Sequence, residues 1–346
     1  MTKQDQARAP TSSAGALEYR KLVREDLDRV VEIDALSSGG PRRAYFERRL
    51  RAALDAPELH VQFGAVRDHV LAGFMMARRM QGEFGRDEPA LRIEVIDVHP
   101  DARHLGAALG LLAQLEAWCA RHGFDQIRSQ AHWKHHSVLE FFDRAGFAFG
   151  RNHVIDCEVH AGRLVAAGGP DAPAEPGERL EVDYSDPAAN DYESLPRDRV
   201  DVRTLTAADS RDLARIDRRI TGRERGAYLK QLVAEALNDS SIRVSLVARV
   251  DGIVRGFVMA KTDYGDFGRT EPVAVIDTIG VDPDAGRAGV GSALMSQLFV
   301  NLQALHVERV ETLVARENLD LLNFLYRCGF GPSERLGFVK RVTSPK

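Results

Sequence analysis

Two carboxylates stand at the same place in two similar stretches of this 346-residue chain. Asp277 lies in the run 273–281 and Glu94 in the run 91–98, each four residues before the valine that ends an apolar stretch. A carboxylate in an apolar strand near a cleft can have a raised pKa and take a proton through a water. The alternative role is structural, a bond to a neighbouring strand or to a helix N-terminus. Both runs lead into a turn of small residues and then an apolar helix. The later turn reads Gly286-Arg287-Ala288-Gly289-Val290-Gly291-Ser292, the earlier one Arg103-His104-Leu105-Gly106-Ala107-Ala108. Strand, glycine turn and helix N-terminus together make an anion site, because small residues let the backbone approach a phosphate and the first-turn N–H groups point at it. A glycine turn that only caps its helix has the same appearance.

The likeness of the two stretches extends over most of the chain. Gly106 matches Gly289, Pro100 matches Pro283, Gly73 matches Gly256, and Ile33-Asp34 match Ile216-Asp217, all at an offset of 183. From Gly73 to Leu111, 18 of 39 positions are identical to their partners without a gap. Such a register marks an internal duplication, and the period is too long for a solenoid, so each copy is expected to be a domain. The expected division is a disordered N-terminus over 1–16, a first domain over 17–161, a Gly/Pro/Ala-rich linker over 162–197 and a second domain over 198–346.

Each copy reads as strand, two helices, hairpin, strand, turn, helix, strand, helix, strand. Asp251-Gly252 is the hairpin signal of the second copy. The fold class expected is α/β, a mixed sheet with helices on both faces, present twice.

Composition narrows the function. A formal net charge of −4 leaves no basic footprint for nucleic acid. Cys119, Cys157 and Cys328 lie far apart without metal spacing and read as reduced thiols of a cytoplasmic protein. No run of about 18 apolar residues suggests a membrane span or a signal peptide. The cluster His132-Trp133-Lys134-His135-His136 lacks a carboxylate or cysteine to complete a metal set, so no metal is expected.

The order of elements, with its strand–V-x-P–small-residue turn–helix unit, resembles the GCN5-related N-acetyltransferase (GNAT) superfamily. The superfamily's diphosphate motif is Gln/Arg-x-x-Gly-x-Gly/Ala. Arg103 to Ala108 fits it; in the second copy Gly286 stands at the first position, Arg287 one place later, and Gly289 and Gly291 hold. A second feature is an Asn seven residues before a helix Tyr. Asn318 fits, but the Tyr position is Leu325, with Tyr326 one step off; in the first copy the positions are His135 and Phe142. The resemblance covers about residues 18–160 and 200–343. It implies two GNAT-like acyl-CoA N-acyltransferase domains in tandem, acetyl-CoA as acyl donor, and an amine acceptor on a small molecule or a protein lysine. It also implies that the strand before the turn and the one after its helix splay apart around the pantetheine.

The resemblance assigns roles residue by residue. The diphosphate falls to Arg287, Ala288, Gly289, Val290, Gly291 and Ser292, or to Arg103, His104, Leu105, Gly106, Ala107 and Ala108. Backbone near Gly280-Val281, or Asp97-Val98, meets the pantetheine and offers the oxyanion N–H, and Gly280 would make a strand irregularity cheap. Asp277, with Glu94 its counterpart, is the candidate base, and Tyr326 the candidate acid for the CoA thiolate. The pairs Asp34/Asp217, Arg42/Arg225 and Tyr45/Tyr228 border the acceptor side in this family, or else brace the helix pair. The loop at Gly82 and its repeat at Gly265 either read an acceptor or lock the domains. The second copy, with both motif glycines and Asn318, is the expected working site, in a monomer with pseudo-twofold domain pairing. The alternative function is a non-catalytic acyl-CoA sensor or protein-interaction module.

Overall fold

The computed structural model describes residues 16–80, 89–159, 200–238, 244–263, 265–268, 271–286 and 288–342. The expected linker, the loop 82–88, residues 1–15 and Arg287 lie outside these.

In the first half the chain forms β1 (Glu18–Arg20), α1 (Leu27–Ser38), α2 (Arg43–Asp55), β2 (His60–Arg67), β3 (Val70–Met80), β4 (Ala90–Val98), α3 (Ala107–His122), β5 (Gln126–His132), α4 (His136–Arg144), β6 (Ala148–Phe149) and β7 (Asn152–Glu158). The second half gives β8 (Asp201–Thr204), α5 (Ser210–Thr221), α6 (Gly226–Asn238), β9 (Leu246–Val250), β10 (Ile253–Asp263) and β11 (Val273–Val281). It continues with α7 (Val290–Ala304), β12 (Arg309–Ala315), α8 (Leu319–Arg327), β13 (Gly331–Pro332) and β14 (Arg335–Arg341). The expected elements are all present, with the two-residue strands β6 and β13 in addition. At the expected hairpin Asp251 and Gly252 both have positive φ, 53° and 76°, the twist that a two-residue turn between antiparallel strands needs.

Two sheets of seven strands result, in the orders β1-β2-β3-β4-β5-β14-β6 and β8-β9-β10-β11-β12-β7-β13. Their topologies are the same, but the strands do not divide at the linker. β14, from the second half, pairs antiparallel with β5 from Arg335↔His132 to Arg341↔Gln126. β7, from the first half, pairs antiparallel with β12 from Asn152↔Ala315 to Glu158↔Arg309. The halves have exchanged their last long strands. The sequence units 17–161 and 198–346 are therefore not the sheet units.

Burial explains why the exchange holds. Phe338 of β14 joins the core built by α3, β3, β4 and Phe142. Ile155 and Cys157 of β7 join the core of α7, β11 and β12. A separate apolar cluster lies on the other face of each sheet, under α1 and α2 in one half and α5 and α6 in the other. Each sheet is thus covered on both faces, as its apolar strands require.

Candidate functional site

The candidate site forms where two neighbouring parallel strands part. β11 pairs with β12 only from Val273↔Arg309 to Ile276↔Thr312, and the Thr312 hydroxyl donates to the Ile276 carbonyl at 2.9 Å. Beyond that junction β11 runs on to Val281 without β12. In the first half β4 and β5 pair only at Leu91↔Ile127 and Arg92↔Arg128.

The two candidate carboxylates stand at this parting. On β11's other side Met259 pairs with Thr278 and Ala260 with Ile276, which leaves Asp277 as the extra residue of a β-bulge. In the first half Met76 pairs with Val95 and Ala77 with Ile93, leaving Glu94. A bulge re-aims the side chain it carries. It falls three residues before Gly280, where the irregularity was expected. Gly280 has a packing reason instead: a Cβ there would lie 2.7 Å from the Phe257 ring and 3.2 Å from Ile220.

The surroundings of the two carboxylates differ. Glu94 is 1% exposed and ion-paired with Arg49 and with Arg92 (2.9 Å). A segment of the second half lies against them. The Tyr45 hydroxyl donates to Asp266 at 2.6 Å, Arg42 donates to the Gly265 carbonyl at 2.5 Å, and Arg335 donates to the Phe267 carbonyl at 3.1 Å. Gly265 is required there, since a Cβ would meet the Tyr45 ring at 2.6 Å. The Arg92 and Arg335 guanidiniums flank the Phe267 ring at 5.8 and 5.5 Å. Of the two readings of this loop, residues 265–267 fulfil the locking one. Burial works against the Asp266 carboxylate, but Arg49, Lys261, Arg92 and the Tyr45 hydroxyl hold it well below the usual carboxylate range.

Asp277 is only half-buried and lines a small pocket. Arg78 and Met80 of β3 line it on one side, and Arg225 with Tyr228, Leu229 and Leu232 of α6 on the other. Leu232 occupies the position that Arg49 holds in the first copy. Burial pushes the Lys261 ammonium down, against the pull of Asp277 and Asp266.

The turn after β11 is braced by a group that the sequence reading missed. Asp282 is fully buried and bonded to Arg215 (2.9 Å), Arg219 (2.5 Å) and Arg255 (3.2 Å), and it accepts the Asp284 N–H. Arg215 and Arg219 stand at i and i+4 on α5, the spacing that could have revealed it. Gly289 follows with φ of 72°, a left-handed N-cap to α7 without a side-chain cap, and Gly106 does the same for α3 at 81°. The N–H groups of Val290, Gly291 and Ser292 thus have no partner within the helix. Gly291 lies close under Phe324, whose ring a Cβ would meet at 3.2 Å, and 3.7 Å from Val281. Ala288 and Val290 complete the turn, Val290 in the core.

The remaining candidates divide. Asn318, 6% exposed, begins α8, and its carbonyl accepts the Leu322 N–H. Leu325 and Phe142, at the position of the expected Tyr, are core residues. Tyr326 is 45% exposed. Two residues on from Phe324, it points about 200° away from the face that meets Gly291. In the first copy Val98 and Ala107 are buried, His104 and Leu105 are exposed, His104 has a φ of 66°, and Ala108 packs on the core. The buried pairs Arg42–Asp34 and Arg225–Asp217 brace the helix pairs, with each Arg over the ring of Tyr45 or Tyr228. His132 pairs with Glu334 at 2.8 Å. Among the described residues no group of His, Cys, Asp and Glu could hold a metal ion, and no helix is long and apolar enough to cross a membrane.

Parted strands, a capless glycine N-terminus and a carboxylate at the junction, all present twice, define an acyltransferase-like α/β architecture. The chain belongs to the acetyltransferase (GNAT) family, whose model matches residues 27–147 and 211–330. No curated protein matches it in sequence. Among solved structures it is similar to a tandem GNAT protein from the clavulanic acid biosynthesis pathway, with a TM-score of 0.62, 15% identity, and 96% of this chain and 100% of that one covered. It is also similar to a GCN5-related N-acetyltransferase from Sphaerobacter thermophilus, with a TM-score of 0.54, 17% identity, and 94% and 96% covered. Another from Kribbella flavida gives a TM-score of 0.54, 16% identity, and 96% and 72% covered. At these identities the likeness is one of fold.

Proposed function

We propose that the chain is an N-acetyltransferase that uses acetyl-CoA and works at its second copy. The observation that carries this is the contrast at the two bulges: Asp277 is half-buried and lines a small pocket, while Glu94 is fully buried and clamped by Arg49 and Arg92. The diphosphate sits on the N–H groups at Gly289–Ser292, helped by Arg287, with Asn318 at the start of the neighbouring helix. Pantetheine lies along β11 in the gap beside β12, and the Val281 N–H faces the thioester oxygen, where negative charge grows. The acceptor amine approaches on the Asp277 side of β11. Asp277 takes its proton through a water, the N–C bond forms as the C–S bond breaks, and CoA leaves as the thiolate. Tyr326 on the outer face does not reach this thiolate, which is a fair leaving group and takes its proton from solvent. The first copy serves as scaffold, and the chain acts as a cytoplasmic monomer whose two copies pair with each other.

Tyr326's outward position is also the observation that favours a second reading, an acyl-CoA sensor without turnover. Calorimetric titration with acetyl-CoA, followed by thiol release with a panel of small amines and lysine peptides, separates the two. Binding without thiol release on any acceptor sinks the enzyme reading.

A further inference from the structure

We infer that the first copy's cofactor groove is closed by its own Ser37, Asp97 and Arg103, so that the chain takes a single acyl-CoA. This rests on the second copy being the acyl-CoA site.

Near the end of β4 the His99 N–H donates to the Ala72 carbonyl at 2.9 Å, on the β3 side. Alternation along an antiparallel strand turns the Val98 N–H the other way, into the gap beside β5. There the chain's own carboxylate meets it: Asp97 Oδ1 accepts the Val98 N–H at 2.9 Å and the Ser37 hydroxyl at 2.8 Å. Arg103 lies over the same group. Its Nε is 3.4 Å from the Val98 carbonyl oxygen and its Nη2 is 3.4 Å from Ser37 Oγ. The donor that a thioester oxygen needs is already taken, and the guanidinium that the turn would offer a diphosphate is turned onto the strand.

The second copy has none of the three at the matching positions. Ile220, Gly280 and Gly286 stand at the matching positions, each 183 residues on. The Asp282 N–H donates to the Arg255 carbonyl at 2.7 Å, so the Val281 N–H faces the gap in the same way as that of Val98. No side chain stands at Gly280 to cap it, and a Cβ there would already crowd Phe257 at 2.7 Å. Burial pushes the Asp97 carboxyl up to about 6, despite the Ser37 and Val98 bonds.

Calorimetric titration of the full chain with acetyl-CoA tests the closure. The expected stoichiometry is one per chain for the unaltered protein and two for the double variant Ser37→Ile/Asp97→Gly, which carries the second copy's residues. Arg103→Gly, on an exposed turn and safe for folding, should add a weaker second site by itself. Adding Gly289→Trp should remove one site from each, leaving none in the parent and one in the double variant. Two sites in the unaltered protein overturn the closure. So does a single site that persists in both natively folded variants, and that outcome leaves the transferase reading intact. No binding by any of these chains overturns both.

Discussion

The ring of Phe338, eight residues from the C-terminus, lies 4.8 Å from the ring of Phe142, and the two share one core. Their contact joins the second half's last strand to the first half's sheet. The Lys340 ammonium extends the link, donating to the Ala145 carbonyl at 2.5 Å. Phe338→Ala should therefore destabilise the first copy by about 3 kcal/mol, the usual scale for emptying a buried Phe site. Hydrogen exchange would locate the loss: β5 and α3 amides should lose protection before those of β10 and β11. Loss confined to the second copy would contradict the exchange.

Asp277→Asn keeps the size of the side chain and removes its basicity. With Asp277 as the proton acceptor, kcat should fall roughly 100-fold or more while the Kd for acetyl-CoA stays within about two-fold. Stopped-flow thiol release and calorimetry read the two quantities. An unchanged kcat would remove Asp277 from the mechanism.

Glu94→Gln is expected to behave in the opposite way. It leaves Arg49 and Arg92 buried without their carboxylate, a change that costs about 3 kcal/mol or more when a buried ion pair is broken. Urea unfolding should show this loss, whereas the folded protein should retain its kcat. A kcat loss equal to that of Asp277→Asn would place the chemistry in both copies.

Asp266 makes the interdomain lock sensitive to pH. Although burial raises its pKa, Arg49, Lys261, Arg92 and the Tyr45 hydroxyl bring the folded value below the unfolded one. A depressed carboxylate stabilises the fold above its unfolded pKa of about 4 and ceases to do so as pH falls through the folded value. Asp266→Asn should thus lower the melting temperature at pH 7, and the gap to the parent should shrink as pH drops from 4 toward 2. A gap that is constant with pH would mean that the charge plays no part in the lock.

Asp97 has the reverse sign. Its folded pKa of about 6 lies above the unfolded value, so the charged form opposes folding as pH rises through 6. Asp97→Asn should stabilise the chain by roughly 1–3 kcal/mol at pH 8 and by almost nothing at pH 4. Thermal melts at the two pH values check this, and equal shifts at both would show that Asp97 is not buried as a charge.

By itself the sequence determined the local units and their repetition. Alternation, turn residues and the offset of 183 marked the strands, the hairpin and both glycine turns, because these depend on contacts within a few residues. The family followed from the same local order. Only the tertiary structure decided which sheet receives β7 and β14. A duplicated chain offers two almost equivalent edges to each strand, and no local pattern separates them. The same holds for the carboxylates. Asp277 and Glu94 look alike in sequence, and each stands on a bulge. Their difference lies in whether position 49 or 232 brings an arginine or a leucine, and in the locking of Asp266 against Tyr45 across the two halves. Such partners come from distant parts of the chain, and their charge and burial exist only once the two halves have packed.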